Sequence, residues 1–133
     1  MNTVYITDSD FMKTEVYQNF MKLNSGRGNL KIRAYAASEA LPVGGLRIIV
    51  STEYSGYQII FFEGVTDASG IVQTLSLPTP LLELNDLEVP DTIPYHITAI
   101  YNGNQTQDFF VNMYDGICVV QNINFIPGGS TGS

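Results

Sequence analysis

Tryptophan, histidine and cysteine are nearly missing from this 133-residue chain, which has no Trp, one His and one Cys. A single cysteine, Cys118, forms no disulfide within the chain, so the stapled framework of small secreted domains is excluded. One histidine, His96, with one cysteine also excludes the usual zinc clusters, which draw several such ligands together. No run approaches the roughly 18 consecutive apolar residues of a membrane-spanning helix. The start, MNTVYITDSDFMKTEV, has neither the basic segment nor the apolar run of a secretory signal. The chain is accordingly expected to be made in the cytosol, with no membrane span.

Basic residues are also missing from most of the sequence. All six, Lys13, Lys22, Arg27, Lys31, Arg33 and Arg47, fall in the first 47 positions beside four acids; the remainder holds nine acids and no cation, and the net charge is −7. Phosphate contacts need Lys or Arg, so nucleic-acid binding by the body of the chain is excluded. A basic front and an acidic body can instead attract one another between copies.

What is plentiful is the material of short strands and tight turns: 8 Tyr, 7 Phe, 12 Gly and 6 Pro. Residues 1–25 stand apart, with a short β-like run (TVYIT) and then Met12, Val16, Phe20 and Leu23 at helical spacing. Asp8, Ser9 and Asp10 supply N-cap candidates, and Asn24-Ser25-Gly26 a stop. From Asn29 the period becomes two. NLKIRAYA, LRIIVST, QIIFFEGVT, IVQTLSL, YHITAIY, QDFFVNMY and ICVVQNINFI read as seven strands, and Pro78, Pro80, Pro90 and Pro94 mark a connector between sheets. The expected fold is an all-β, seven-stranded antiparallel Greek-key sandwich over residues 26–127, preceded by a short N-terminal arm with a helix (1–25) and followed by a flexible tail (128–133).

The motifs Leu-Pro-Val-x-Gly at 41–45, Gly-x-Thr-Asp-x-x-Gly at 64–70, Leu-x-Leu-Pro at 75–78 and Pro-Tyr-x-Ile at 94–97 resemble the carboxypeptidase regulatory-like, or transthyretin-like, family, related to the pilin CnaB domains. The stretch VYQNFMKLNSGRGNLKIRAYAASEALPV is similar to a Firmicutes subgroup associated with spores or the cell wall. The resemblance implies a β-sandwich without catalytic activity, in which Asp67 and Gly70 shape a turn. In related pilin domains a Lys–Asn isopeptide bond joins first and last strands; here alternation sends Lys31 outward, away from Asn122 and Asn124, and argues against it.

For single residues the plain reading prevails. His96 is expected to be a surface or satisfied core histidine, Cys118 a buried small hydrophobe, and Glu83, Asp86, Glu88 and Asp91 solvated loop acids whose spacing matches no calcium loop. No catalytic residue, metal ligand or cofactor is expected. The arm carries the functional weight: Val4, Tyr5, Ile6, Phe11, Met12, Val16, Phe20 and Leu23 are too apolar to stay in water, and are assigned to an assembly interface between copies. The expected function is a non-enzymatic structural module that self-assembles head to tail, as a homo-oligomer or polymer, at a bacterial spore or cell surface. Alternatives are an accessory domain binding cell-wall glycan or a surface protein through Tyr35, Tyr54, Tyr57 and Tyr101, and a decoration protein of a phage or tail-like particle.

Overall fold

Alternation along the longest strand sets the architecture. In the computed structural model, which describes residues 2–36, 41–82, 92–101 and 105–124, Gly26–Ala36 (β2) buries Leu30, Ile32, Ala34 and Ala36 while Arg27, Asn29, Lys31 and Arg33 face solvent. The other strands are Asn2–Tyr5 (β1), Leu41–Pro42 (β3), Arg47–Tyr54 (β4), Tyr57–Val65 (β5), Leu75–Thr79 (β6), Ile93–Tyr101 (β7), Gln105–Met113 (β8) and Cys118–Asn124 (β9). Two sheets result. One has the order β1-β5-β4-β7-β8; in the other, β2 pairs with β3 and β6 on one flank and with β9 on the other.

The expected seven antiparallel strands are corrected to nine in mixed sheets among the described residues. Two pairings are parallel, β1 with β5 and β2 with β9. Apolar alternation fixes which face a residue takes, but it says nothing about the direction of the neighbouring strand. Turn chemistry behaves as the sequence leads one to expect. Ser55 and Gly56 both have positive φ (51° and 81°), the geometry of a two-residue hairpin between β4 and β5. Gly70 (φ 76°) brings its backbone so near β2 that a Cβ there would lie 2.3 Å from the Ala34 carbonyl oxygen.

The inner faces of the two sheets meet in a core that includes Leu30, Ile32, Ile48, Val50, Tyr95, Ile97, Met113 and Ile123. Tyr95 crosses it: its hydroxyl donates to the Pro78 carbonyl at 2.7 Å, tying one sheet to the other. Burial pushes its phenol pKa well above the ordinary value, so it stays a neutral donor.

The larger sheet has more inner face than its partner covers, and the N-terminal segment fills the difference. Ser9–Met12 (α1) and Glu15–Leu23 (α2) lay Phe11 and Phe20 onto Ile59, with Val4, Ile6, Val16, Tyr17, Met21, Tyr54, Tyr57, Phe61 and Ile93 around them. The single expected helix is broken because Thr14 starts a new one: its hydroxyl donates to the Phe11 carbonyl at 2.7 Å and accepts from the Tyr17 amide at 3.2 Å. That break rotates the buried stripe. Met12 and Leu23, expected on it, are 40% and 61% exposed.

An edge position explains another difference. Cys118, expected inside, is exposed at the start of β9, whose pairing is with β2 alone among the described residues. Just before it, Asp115 pins three segments together, accepting from the Leu82 amide through Oδ2 and the Arg27 amide through Oδ1, both at 3.0 Å.

Two outcomes follow. Replacing Phe20 with Ala should lower unfolding free energy by about 3–5 kcal/mol in urea denaturation, whereas Leu23→Ala should stay within about 0.5 kcal/mol. The hydrogen bonds from Leu82 and Arg27 hold the Asp115 carboxyl below its ordinary pKa. Its contribution is therefore present above the unfolded-state pKa of about 4 and lost as pH falls through the lower folded value. Urea midpoints between pH 7 and pH 3 should fall further for the natural chain than for Asp115→Asn.

Candidate functional site

The outer face of the five-stranded sheet is where polar chemistry gathers. On β7 the residues Pro94, His96 and Thr98 point away from the core, opposite Asn112, Phe110 and Asp108 of β8. On the other flank of β7, Ser51 of β4 stands opposite His96, and Glu53 opposite Gln58 of β5. The hairpin registers bring these residues together from four strands. Ser51, Thr52, Glu53, Gln58, Pro94, His96 and Phe110 line a cleft of about 270 Å³.

His96 organises the cleft. Its Nε2 lies 2.8 Å from Asp108 Oδ1, and the Thr98 hydroxyl donates to the same oxygen at 3.2 Å. Phe110 lies flat on the imidazole, with centroids 4.7 Å apart and planes 11° from parallel. That ring is still 73% exposed, so one side is held by the imidazole and much of the rest meets solvent. Across the cleft the Gln58 amide donates to the Ser51 hydroxyl at 3.3 Å, and the Thr52 hydroxyl donates to the Pro94 carbonyl at 2.6 Å.

Farther along the same face, the Tyr5 phenol donates to Glu63 Oε1 at 2.7 Å, and Arg47 pairs with the other carboxylate oxygen. The hydrogen bonds from the Arg47 guanidinium and then the Tyr5 hydroxyl hold the Glu63 pKa below the usual carboxylate range, while the hydrogen bond to Glu63, and then its charge, raise that of Tyr5. This cation of the face is thus committed to a carboxylate, and among the described residues the cleft is lined by Glu53 and by no Lys or Arg.

The structure disperses the residues that the sequence singles out. Of the arm residues, Phe11 and Phe20 are buried against the same chain, Val4, Ile6 and Val16 pack around them, Tyr5 bonds Glu63, and Met12 and Leu23 are exposed. The four tyrosines form no common surface. Tyr54 and Tyr57 belong to the inner cluster, Tyr101 packs on the main core, and Tyr35 sits on the other sheet beneath Arg33. The loop acids Glu83, Asp86, Glu88 and Asp91 lie outside the described residues. Among the described residues, no three His, Cys, Asp or Glu side chains gather as a metal site would require, and no helix is long and apolar enough to cross a membrane. His96 was legible only as a lone strand histidine. The signal that finds the cleft is the YHITAIY–QDFFVNMY hairpin register, which sets His96 opposite Phe110.

No family model and no curated protein sequence matches the chain. Solved structures similar to it include the dioxygenase domain of a dioxygenase–carbohydrate-binding protein fusion from Streptomyces sp. SirexAA-E, at 10% identity and TM-score 0.51, covering 93% of this chain and 90% of that one. Two others are 5-hydroxyisourate hydrolase from Klebsiella pneumoniae (16% identity, TM-score 0.48, 76% and 92% covered) and transthyretin from Sparus aurata (14%, 0.46, 73% and 89%). At such identities the likeness concerns the fold, a β-sandwich of the kind the sequence motifs imply. The carboxypeptidase regulatory-like assignment and the spore-associated subgroup gain no support from it. The expected self-assembling structural module is corrected: the apolar arm finds its cover within its own chain, and the similar folds include that of a dioxygenase domain, with nothing that favours a polymer or its alternatives.

Proposed function

We propose that the outer face of the five-stranded sheet is a non-catalytic recognition site for a cationic group, a protonated amine or a guanidinium, carried by a small ligand. The observation behind this reading is Phe110, a ring held flat by His96 and open to solvent in a cleft that the Glu53 carboxylate also lines, with Asp108 two residues away on the same face of β8. A cation over such a ring gains about 0.5–2 kcal/mol from its quadrupole, more as water is displaced. The field around the cleft works in the same direction, because the chain beyond Arg47 carries nine acids and no Lys or Arg.

A non-catalytic role also suits the hydrogen bonds. The imidazole Nε2 is engaged by Asp108, the Thr98 hydroxyl is turned onto that same carboxylate, and the Ser51 hydroxyl is engaged by Gln58. Each group positions its neighbour, and no hydroxyl is set up as an activated nucleophile.

Titration with the N-acetyl amides of arginine, lysine and norleucine, of which the first two carry one side-chain cation and the third is neutral, followed by amide chemical shifts, tests the reading. The two cations should shift residues 51–53, 58, 96 and 110 saturably, and the neutral probe should not. Phe110→Ala should weaken binding about fivefold or more, the equivalent of about 1 kcal/mol, while stability stays within about 0.5 kcal/mol because the ring is exposed. Equal binding of the neutral N-acetyl-norleucine amide, or unchanged affinity in Phe110→Ala, would overturn it.

A further inference from the structure

The opposite face of the sandwich carries the reverse charge. Lys31 and Arg33 leave β2 on its outer side and, with Ile71, Val72 and Thr74, line a separate cleft of about 300 Å³. The turn that bounds it is firmly built: Asp67 Oδ1 accepts from the Ser69 and Ile71 amides at 2.9 and 3.0 Å, and the Ala34 amide donates to the Gly70 carbonyl at 2.7 Å. These bonds lay residues 70–72 against β2, and Arg33 bridges directly to Ile71. The Arg33 guanidinium lies over the Tyr35 ring, 5.2 Å from its centroid, which limits its side-chain freedom before any ligand arrives. Among the described residues, neither cation has a carboxylate partner.

We infer that this cleft binds the phosphate group of a small ligand. Arg33 offers a planar fork that matches two phosphate oxygens, Lys31 adds a second positive charge suited to a dianion, and the Thr74 hydroxyl at the rim can donate a further bond. Two cations in one cleft favour phosphate over a singly charged carboxylate. A membrane surface is a poorer match, since polybasic lipid-binding segments carry about 4–8 cations, whereas this stripe has Arg27, Lys31 and Arg33 on a chain of net charge −7. The site is independent of the cation cleft, which lies on the other sheet.

The test is an amide chemical-shift titration at low salt with inorganic phosphate, glycerol 3-phosphate and acetate at matched ionic strength, beside flotation with vesicles of phosphatidylcholine alone or mixed with phosphatidic acid. Both phosphate probes should shift residues 31, 33 and 71–74 saturably, with acetate about tenfold weaker or more, and none of the protein should float with vesicles. Lys31→Ala and Arg33→Ala should each cost about tenfold, Arg33→Lys should fall between, and Lys22→Ala should match the natural chain. These side chains are exposed, so the variants should fold, which the dispersion of the same spectra verifies. Phosphate shifting no more than acetate, unchanged affinity in Arg33→Ala, or binding confined to anionic vesicles would each overturn the inference.

Discussion

A row of aromatic rings holds the molecule together. Phe20 of α2 meets Phe61 of β5 with centroids 5.9 Å apart, and Phe61 meets Tyr95 of β7 edge-on at 5.4 Å. Phe61 is common to both apolar clusters, the one between the sheets and the one under the helices. The constraint behind it is geometric. A five-stranded sheet presents more inner surface than the smaller sheet can keep dry, and the uncovered end holds Tyr54, Tyr57 and Ile59. Apolar surface of that extent needs shelter from water, and the N-terminal helices supply it as an extension of the second layer. The same segment extends the sheet sideways, since β1 adds in parallel to β5 and moves the sheet edge from that nine-residue strand to one of four residues.

With both inner faces spent on the core, function is left to the outer faces, and alternation gives each its own chemistry. Along β7 and β8 the outward residues include an imidazole, two hydroxyl- or carboxyl-bearing neighbours and an exposed ring; along β2 they include three cations and a tyrosine. Charge is thus separated across the thickness of the sandwich, because β2 lies in the part of the sequence that carries Lys and Arg whereas β5, β7 and β8 come after it. The sequence asymmetry that first implied attraction between copies is, in the fold, a difference between two faces of one molecule.

Much of this was readable from residue order. The strand set β2, β4, β5, β7, β8 and β9, the Ser55-Gly56 hairpin and the outward Lys31 all follow from period-two alternation and turn residues. The partners of each strand did not, because face and direction are separate properties. The arm shows a second limit. Its apolar residues demanded burial, and sequence alone could not distinguish the same chain from a neighbouring one; the surplus inner face that decides the matter exists only once both sheets are built. The cleft shows a third. His96 looks solitary along the chain, and its companions Ser51, Asp108 and Phe110 arrive from other strands through register.

A single irregularity connects these levels. In QIIFFEGVT, strict alternation beginning with Ile59 inside would send Phe61 inward, Phe62 outward and Glu63 back into the core, where an unpaired carboxylate is costly. The ladder avoids this. Val50 pairs with Phe62 and the next residue, Ser51, pairs with Ile60, so Phe61 is left without an opposite number at a bulge. Phe61 and Phe62 can then both pack on the core, and the parity beyond them is reversed. Glu63 emerges on the outer face opposite Ile49, within reach of Arg47 and the Tyr5 hydroxyl. One extra residue therefore supplies the ring that joins the two clusters and the carboxylate that occupies Arg47. With that guanidinium engaged, Arg47 brings no unpaired positive charge to the outer face that carries His96 and Phe110.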